Sequence, residues 1–168
     1  AGITVTVLAI GSPYEHEYGW RGPYDYRYAP VRQDVVPVQS TPYQEECGAC
    51  HFAYQPGLLP AASWGRIMDG LADHFGENAE LDEQTRQQLL SILVASSAEK
   101  SRYKRSKKIM SSLPEGEAPL RITEVPYIKE KHEEVKEDVL KTGKTKKVKS
   151  LSFCNKCHQN AKQGVFDD

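Results

Sequence analysis

Cys47-Gly48-Ala49-Cys50-His51 and Cys154-Asn155-Lys156-Cys157-His158 are two copies of one pattern, Cys-x-x-Cys-His, about a hundred residues apart. Together they contain all four cysteines of the chain and two of its five histidines. No thiol is left over for a disulfide or a separate nucleophile. The pattern has a specific chemical use. Two cysteines with a two-residue gap hold their sulfurs at the spacing of the two vinyl groups of haem, to which they add as thioethers. The histidine that follows gives the iron its proximal nitrogen. On this reading Cys47, Cys50, Cys154 and Cys157 attach two covalently bound haem c groups, and His51 and His158 are axial ligands.

Two other uses of paired cysteines fit less well. Two Cys-x-x-Cys pairs could share one zinc, but zinc fingers use far shorter separations, and zinc gives no reason for a His after both pairs. A redox-active dithiol sits at a helix start beside a strand–helix–strand pattern, and no such alternation is visible here.

Haem also answers a problem of composition. The chain has 168 residues, 39% of them hydrophobic, with a mean hydropathy of −0.61. Divided into two lobes, so thin a core needs a staple. A large, mostly apolar ring is one. The expected architecture is mainly α with much irregular chain, in two small haem-binding lobes. Residues 1–43 form an irregular Tyr- and Pro-rich segment, 44–105 the N-terminal haem lobe and 106–168 the C-terminal haem lobe. The Tyr, Pro and Gly of residues 11–46 argue for turns and irregular chain, a surface wrap that could also cover a haem edge.

The run Ile3–Ile10 is too short to cross a bilayer, which takes roughly 18 apolar residues; its alternation suits a short strand. It lacks the basic start of a signal peptide and the chain does not begin with Met, so a signal removed before residue 1 is expected. An apolar stripe at Trp64, Ile67, Met68, Leu71, His74 and Phe75 predicts a helix capped by Ser63 and ended by Gly76. A second helix is expected from a cap at Asp82 to about Ala98, with Leu89, Ile92 and Leu93 buried. A third begins at Pro126, carries Ile128, His132, Val135 and Val139 on one side, and ends at Gly143.

Net charge is −1, which gives no reason to expect nucleic-acid or membrane binding. The charge is lopsided, however. Residues 1–98 carry net −7 and residues 99–168 net +6, with basic tracts at 99–108 and 141–149. The basic half is expected to neutralise haem propionates and to steer an acidic partner.

Each iron has a sixth position, with candidates Met68, Met110, His16, His74 and His132. His74 and His132 each occupy the apolar line of a helix, where a bound haem gives an imidazole a task. Met68 reads as core, His16 as part of the polar N-terminal segment, and Met110 lies on no stripe. The simple pairing is His51 with His74 and His158 with His132; crossed pairing stays open.

The stretch from Glu46 to Pro60 reads Glu-Cys-Gly-Ala-Cys-His-Phe-Ala-Tyr-Gln-Pro-Gly-Leu-Leu-Pro. With Trp64, with Asp73-His74-Phe75-Gly76-Glu77-Asn78-Ala79, with Ile122-Thr123-Glu124-Val125-Pro126 and His132, and with the closing motif, it resembles the bacterial dihaem cytochrome c family over roughly residues 44–168. The resemblance implies an N-terminal lobe similar to a small monohaem cytochrome c joined to a distinct C-terminal lobe. It implies bis-histidine ligation through His74 and His132, a periplasmic location, and electron exchange with an oxygen-binding monohaem cytochrome. Residues 1–43 match no family pattern.

The expected function is electron transfer between redox proteins through two bis-histidine haems. The alternative is a small dihaem enzyme, a peroxidase or oxide reductase, with one labile sixth ligand. If the haems complete the core, replacing all four cysteines leaves the chain largely unfolded by circular dichroism; a native-like spectrum would refute this.

Overall fold

The computed structural model describes residues 32–135 and 150–166. The strand expected at residues 3–10, His16, Val139, Gly143 and the basic tract 141–149 lie outside them. Among the described residues the regular elements are five α-helices and several single 3-10 turns, without strands.

Helix α1 spans Thr41–Gly48 and overlaps the end of the segment expected to be irregular. Its composition hides a sound helix start. Pro42 stands in the first turn, where a missing N–H costs nothing, and the Ser40 hydroxyl accepts from the Tyr43 amide. The first motif therefore begins on the last turn of a helix. Helix α2 spans Ala61–Asp69, not Ser63 to Gly76. Gly70 stops it, and its N–H caps the Ile67 carbonyl. A 3-10 turn at Leu71–Asp73 follows, so His74 and Phe75 lie beyond the helix. Ser63 is buried inside α2 rather than capping it. Its start is capped from a distance, because the Glu99 carboxylate accepts from the Ala61 amide at 2.9 and 3.1 Å.

Helix α3, Glu83–Ala95, starts as expected, with Asp82 accepting from the Thr85 amide at 3.0 Å. Leu89 and Leu93 are fully buried on its inner face and Ile92 packs partly against the core. Helices α2 and α3 pack together. Helix α4, Lys104–Ser112, arises within the basic tract, and only Ser106 and Ile109 of it are buried. Helix α5, Pro126–Lys131, has its proline in the first turn and ends at His132; helical backbone resumes at 133–135. Ile128 is buried, while Val135 is exposed. Helix α4 lies against α5.

One hydrophobic cluster joins these pieces. It runs from Val35 and Tyr43 through Leu58, Leu59, Trp64, Leu89, Leu93 and Ile109 to Val125, Ala161 and Phe166. Burying side chains of this size contributes about 1.5–3 kcal/mol each. Met68 belongs to the cluster and Met110 packs against it. Polar links lock its seams. Trp64 Nε1 donates to the Pro56 carbonyl at 2.9 Å, and the buried Ser106 hydroxyl donates to Gly57 O at 2.8 Å. The Arg86–Asp69 pair between α3 and α2 is exposed and adds little.

The chain end closes onto the start of the described region. The amides of Asp34 and Val35 both donate to Gly164 O, at 2.8 and 3.2 Å. Phe166 N donates to Asp34 Oδ2 at 2.8 Å, and Arg105 pairs with the same carboxylate. Gly164 is required here. Its φ is +76°, and an added Cβ would collide with the Val35 carbonyl oxygen. Gly116, at φ +80°, faces open space.

Two alanine substitutions separate strain from collision. Gly164→Ala is expected to cost more than the ~1–2 kcal/mol of left-handed backbone alone, and Gly116→Ala about that amount. Each 1 kcal/mol lowers Tm by roughly 2–4 °C at this chain length. Equal losses in thermal unfolding would remove the role given to the Val35 contact.

Candidate functional site

Each motif begins on a helical turn. Cys47 is on the last turn of α1 and Cys50 falls one turn later. Cys154–Lys156 is a 3-10 turn capped by Cys157 N donating to Cys154 O at 3.2 Å, with His158 N also donating to Cys154 O at 2.8 Å. Residues three apart on such backbone share a face. That spacing suits attachment of both sulfurs of a pair to one ring. No disulfide joins any two of the four cysteines. Burial raises the thiols of Cys47 and Cys154 to about 11, so both are protonated at neutral pH. No set of three or more His, Cys, Asp or Glu side chains gathers into a metal cage among the described residues, so the cysteine pairs do not converge as one zinc site would need.

The four motif and candidate histidines meet in two pairs. The rings of His51 and His74 are 6.1 Å apart between centroids, with planes 21° apart. Those of His132 and His158 are 6.0 Å apart, with planes 84° apart. An iron bonded at about 2 Å to an imidazole nitrogen on each side, with about 1 Å more to each ring centre, needs roughly this spacing. These separations make His51 with His74 and His158 with His132 candidate ligand pairs.

Backbone carbonyls orient two of these imidazoles. His51 Nδ1 lies 2.8 Å from Phe52 O, and His132 Nδ1 lies 2.7 Å from Ile128 O, one turn back in α5. A carbonyl only accepts, so Nδ1 carries the proton and the Nε2 lone pair is free for a metal. His74 is placed by a tight turn. Its N–H donates to Glu77 O at 2.7 Å, and Gly76 N donates to the Asp73 carboxylate at 2.9 Å. Phe75 within this turn has φ +59° and is 46% exposed. That conformation is an outlier for a bulky residue and gathers at functional sites. The Phe75 ring lies 4.8 Å from His74, with the Arg121 guanidinium stacked 3.9 Å above it. Burial, then the nearby His51 and Arg121, hold His74 below the usual histidine range. Its ring is accordingly neutral at pH 7 and able to ligate.

The second pair opens on a cavity of about 970 Å³, lined by Cys154, Cys157, His158 and His132 with Ile122, Ile128, Phe153 and Phe166. Lys104, Lys108, Lys129 and Lys131 also line it and are exposed. Phe166 lies 5.6 Å from the His158 ring. The first pair is flanked in the chain by exposed carboxylates: Glu45 and Glu46 before Cys47, and Asp73 and Glu77 around His74.

Several contributing residues are silent in the motif logic. Tyr54 packs on His51 at 5.1 Å and donates its hydroxyl to Ser152 O at 2.8 Å. Burial raises that hydroxyl to about 12, which keeps it a donor. Arg121 and Phe166 reach the sites from distant positions. An aromatic three residues after a motif histidine is the one such signal the sequence offers.

Residues 43–166 match the family model described as dihaem cytochrome c. A diheme cytochrome c from Rhodobacter sphaeroides is 41% identical, with a TM-score of 0.66 over 79% of this chain and 99% of that one. A second structure from that organism gives 39% identity and a TM-score of 0.59 over 78% and 100%. The diheme cytochrome c of Shewanella baltica OS155 gives 34% and 0.61 over 77% and 89%. No curated protein matches the chain. The chain thus belongs to the dihaem cytochrome c family and is built to carry two covalently bound haem c groups.

Proposed function

We propose that this protein transfers electrons between redox proteins through two bis-histidine haems, ligated by His51 with His74 and by His158 with His132. The observation that carries this reading is the pairing of the rings at 6.1 and 6.0 Å. Two imidazoles per iron leave no position for a substrate, which favours a carrier over the peroxidase or reductase alternative. The haem supplies the redox couple; the chain's residues set its ligands, exclude water and fix its charge environment. Fixed ligands on both faces also keep reorganisation small when the iron changes oxidation state.

The partners we propose are other redox proteins, engaged in transient complexes, with an oxygen-binding monohaem cytochrome as one candidate. The four lysines around the second cavity favour an acidic partner there. Covalent haem attachment supports a location outside the cytoplasm, in the periplasm. Among the described residues no helix is long and apolar enough to cross a membrane.

His74→Ala and His132→Ala are each expected to convert one of two low-spin haems to high spin and to open it to carbon monoxide. The reduced wild type should not bind carbon monoxide readily. An unchanged optical spectrum in either variant defeats that ligand assignment. The near-parallel and near-perpendicular ring planes further predict two distinct low-spin signals by electron paramagnetic resonance, since the relative ring orientation sets the splitting of the iron d orbitals.

Steering makes a separate demand. Oxidation of the reduced protein by anionic ferricyanide should slow by about tenfold or more from low to high ionic strength. Charge reversal at Lys104 and Lys129 should weaken that dependence. A rate independent of salt would contradict it.

A further inference from the structure

Tyr54 touches both halves of the site. Its ring lies 5.1 Å from that of His51, tilted by 35°. Its hydroxyl donates to the carbonyl of Ser152, 98 residues later in the chain and two before Cys154. The residue is also braced. Phe52 meets its ring edge-on at 5.7 Å, and the buried Tyr43 hydroxyl donates to the Tyr54 carbonyl at 2.6 Å. Gln55, next in sequence, is itself tied to the carbonyls of Ala161 and Lys162 beyond the second motif. So the backbone on both sides of Cys154–His158 is bonded to one dipeptide placed three residues after His51.

We propose that Tyr54 couples the two redox centres. Packed on the proximal imidazole of one and hydrogen-bonded to the segment that attaches the other, it fixes their relative placement and gives the electron a bonded route between them. The proposal rests on the reading of His51 and Cys154 as parts of two haem sites.

The route is short in chemical terms. From the His51 imidazole the contact passes to the Tyr54 ring, through its O–H to Ser152 O, and along two residues to the Cys154 sulfur. A hydrogen bond couples better than an open gap of the same length. Transfer of one electron oxidises one iron and reduces the other, with no proton moved and no bond made or broken. Tyr54 is not itself oxidised; it is a positioning residue that bridges.

Tyr54→Phe removes the hydroxyl and keeps the ring on His51. Tyr54→Leu removes both. Tyr103→Phe removes a hydroxyl that donates to Gln33 at 3.0 Å and touches neither Tyr54 nor Ser152, and serves as the structural control. The holoproteins are compared by electron exchange between the haems after flash-induced photoreduction, and by optical spectra and potentials. Tyr54→Phe should slow inter-haem exchange several-fold with both haems bound and low-spin, and Tyr54→Leu should slow it further. Tyr103→Phe should leave it unchanged. Exchange at the wild-type rate in Tyr54→Phe overturns the proposal, as does equal slowing in Tyr103→Phe, which would mean general loosening. A further measurement reads the bond itself: the ultraviolet resonance Raman difference between wild type and Tyr54→Phe should show a tyrosine hydroxyl acting as a strong donor. A hydroxyl bonded only to water also overturns it. Failure of the haem-site reading itself would appear separately, in the haem content and spin state of the wild type.

Discussion

The described structure depends on a buried amide. Gln55 is 3% exposed and satisfies both ends of its side chain. Its Oε1 accepts from Val38 N at 2.7 Å, and its Nε2 donates to Ala161 O and Lys162 O at 3.3 and 3.1 Å. A buried amide left unpaired would cost about 1–3 kcal/mol for each lost partner. Three segments distant in sequence are therefore held in one register: the approach to α1, the residue after Tyr54, and the turn after the second motif. With the Gly164 carbonyl taking the amides of Asp34 and Val35, the chain end is stitched to residues 34–55. The second motif then has little freedom relative to the first. A chain with so few apolar residues can hold two haem sites because polar links of this kind act where a larger core would otherwise be needed.

The chemistry was legible from the sequence because covalent attachment is local. Cys-x-x-Cys-His is read by one ring, and its spacing is set by the vinyl groups rather than by the fold. Asp82 and Pro126 were legible for a similar reason, since capping and the first-turn tolerance of proline act within a few residues. Helix α1 was hidden because its Pro42 and Tyr43 belong to a Pro- and Tyr-rich composition, although Ser40 is a good cap. Helix α4 was hidden by charge. Its Ile109 and Ser106 are buried by contacts with residues far away in the chain, and the four basic residues beside them read as a solvated tract.

His74 shows the limit of periodicity. A stripe from Trp64 to Phe75 reads as one helix only if Gly70 is tolerated within it. Gly70 instead closes α2, although Gly65 sits inside the same helix. The two glycines differ in the chain beyond them. After Gly70 the backbone turns so that Ala79 N donates to Leu71 O at 2.9 Å and His74 pairs with Glu77. Those closures need residues 70 to 79 in concert, and no single position announces them. The turn that carries His74 off the helix is also what lets its ring face His51. The position of its ring opposite His51 could not be read from the stripe.

The two histidines proposed as distal ligands are held by different physical means, and the two sites are therefore not copies. His132 sits at the end of a helix, its ring nitrogen bonded to a carbonyl of the preceding turn, among the partial negative charges of the last peptide groups. Its orientation is set by a bond directed along the ring plane. His74 sits in a turn that contains a left-handed phenylalanine, its ring packed on Phe75 and that ring covered by Arg121. Its orientation is set by stacking on a residue under conformational strain of about 1–3 kcal/mol. Strain of that size persists only where the surroundings over-determine it, which the Asp73–Gly76 and His74–Glu77 closures do. Around one pair stand carboxylates and around the other lysines. Hydrogen bonding and charge are among the levers by which a protein sets the electronic state of a ligated iron, and this chain applies different values of both to its two sites.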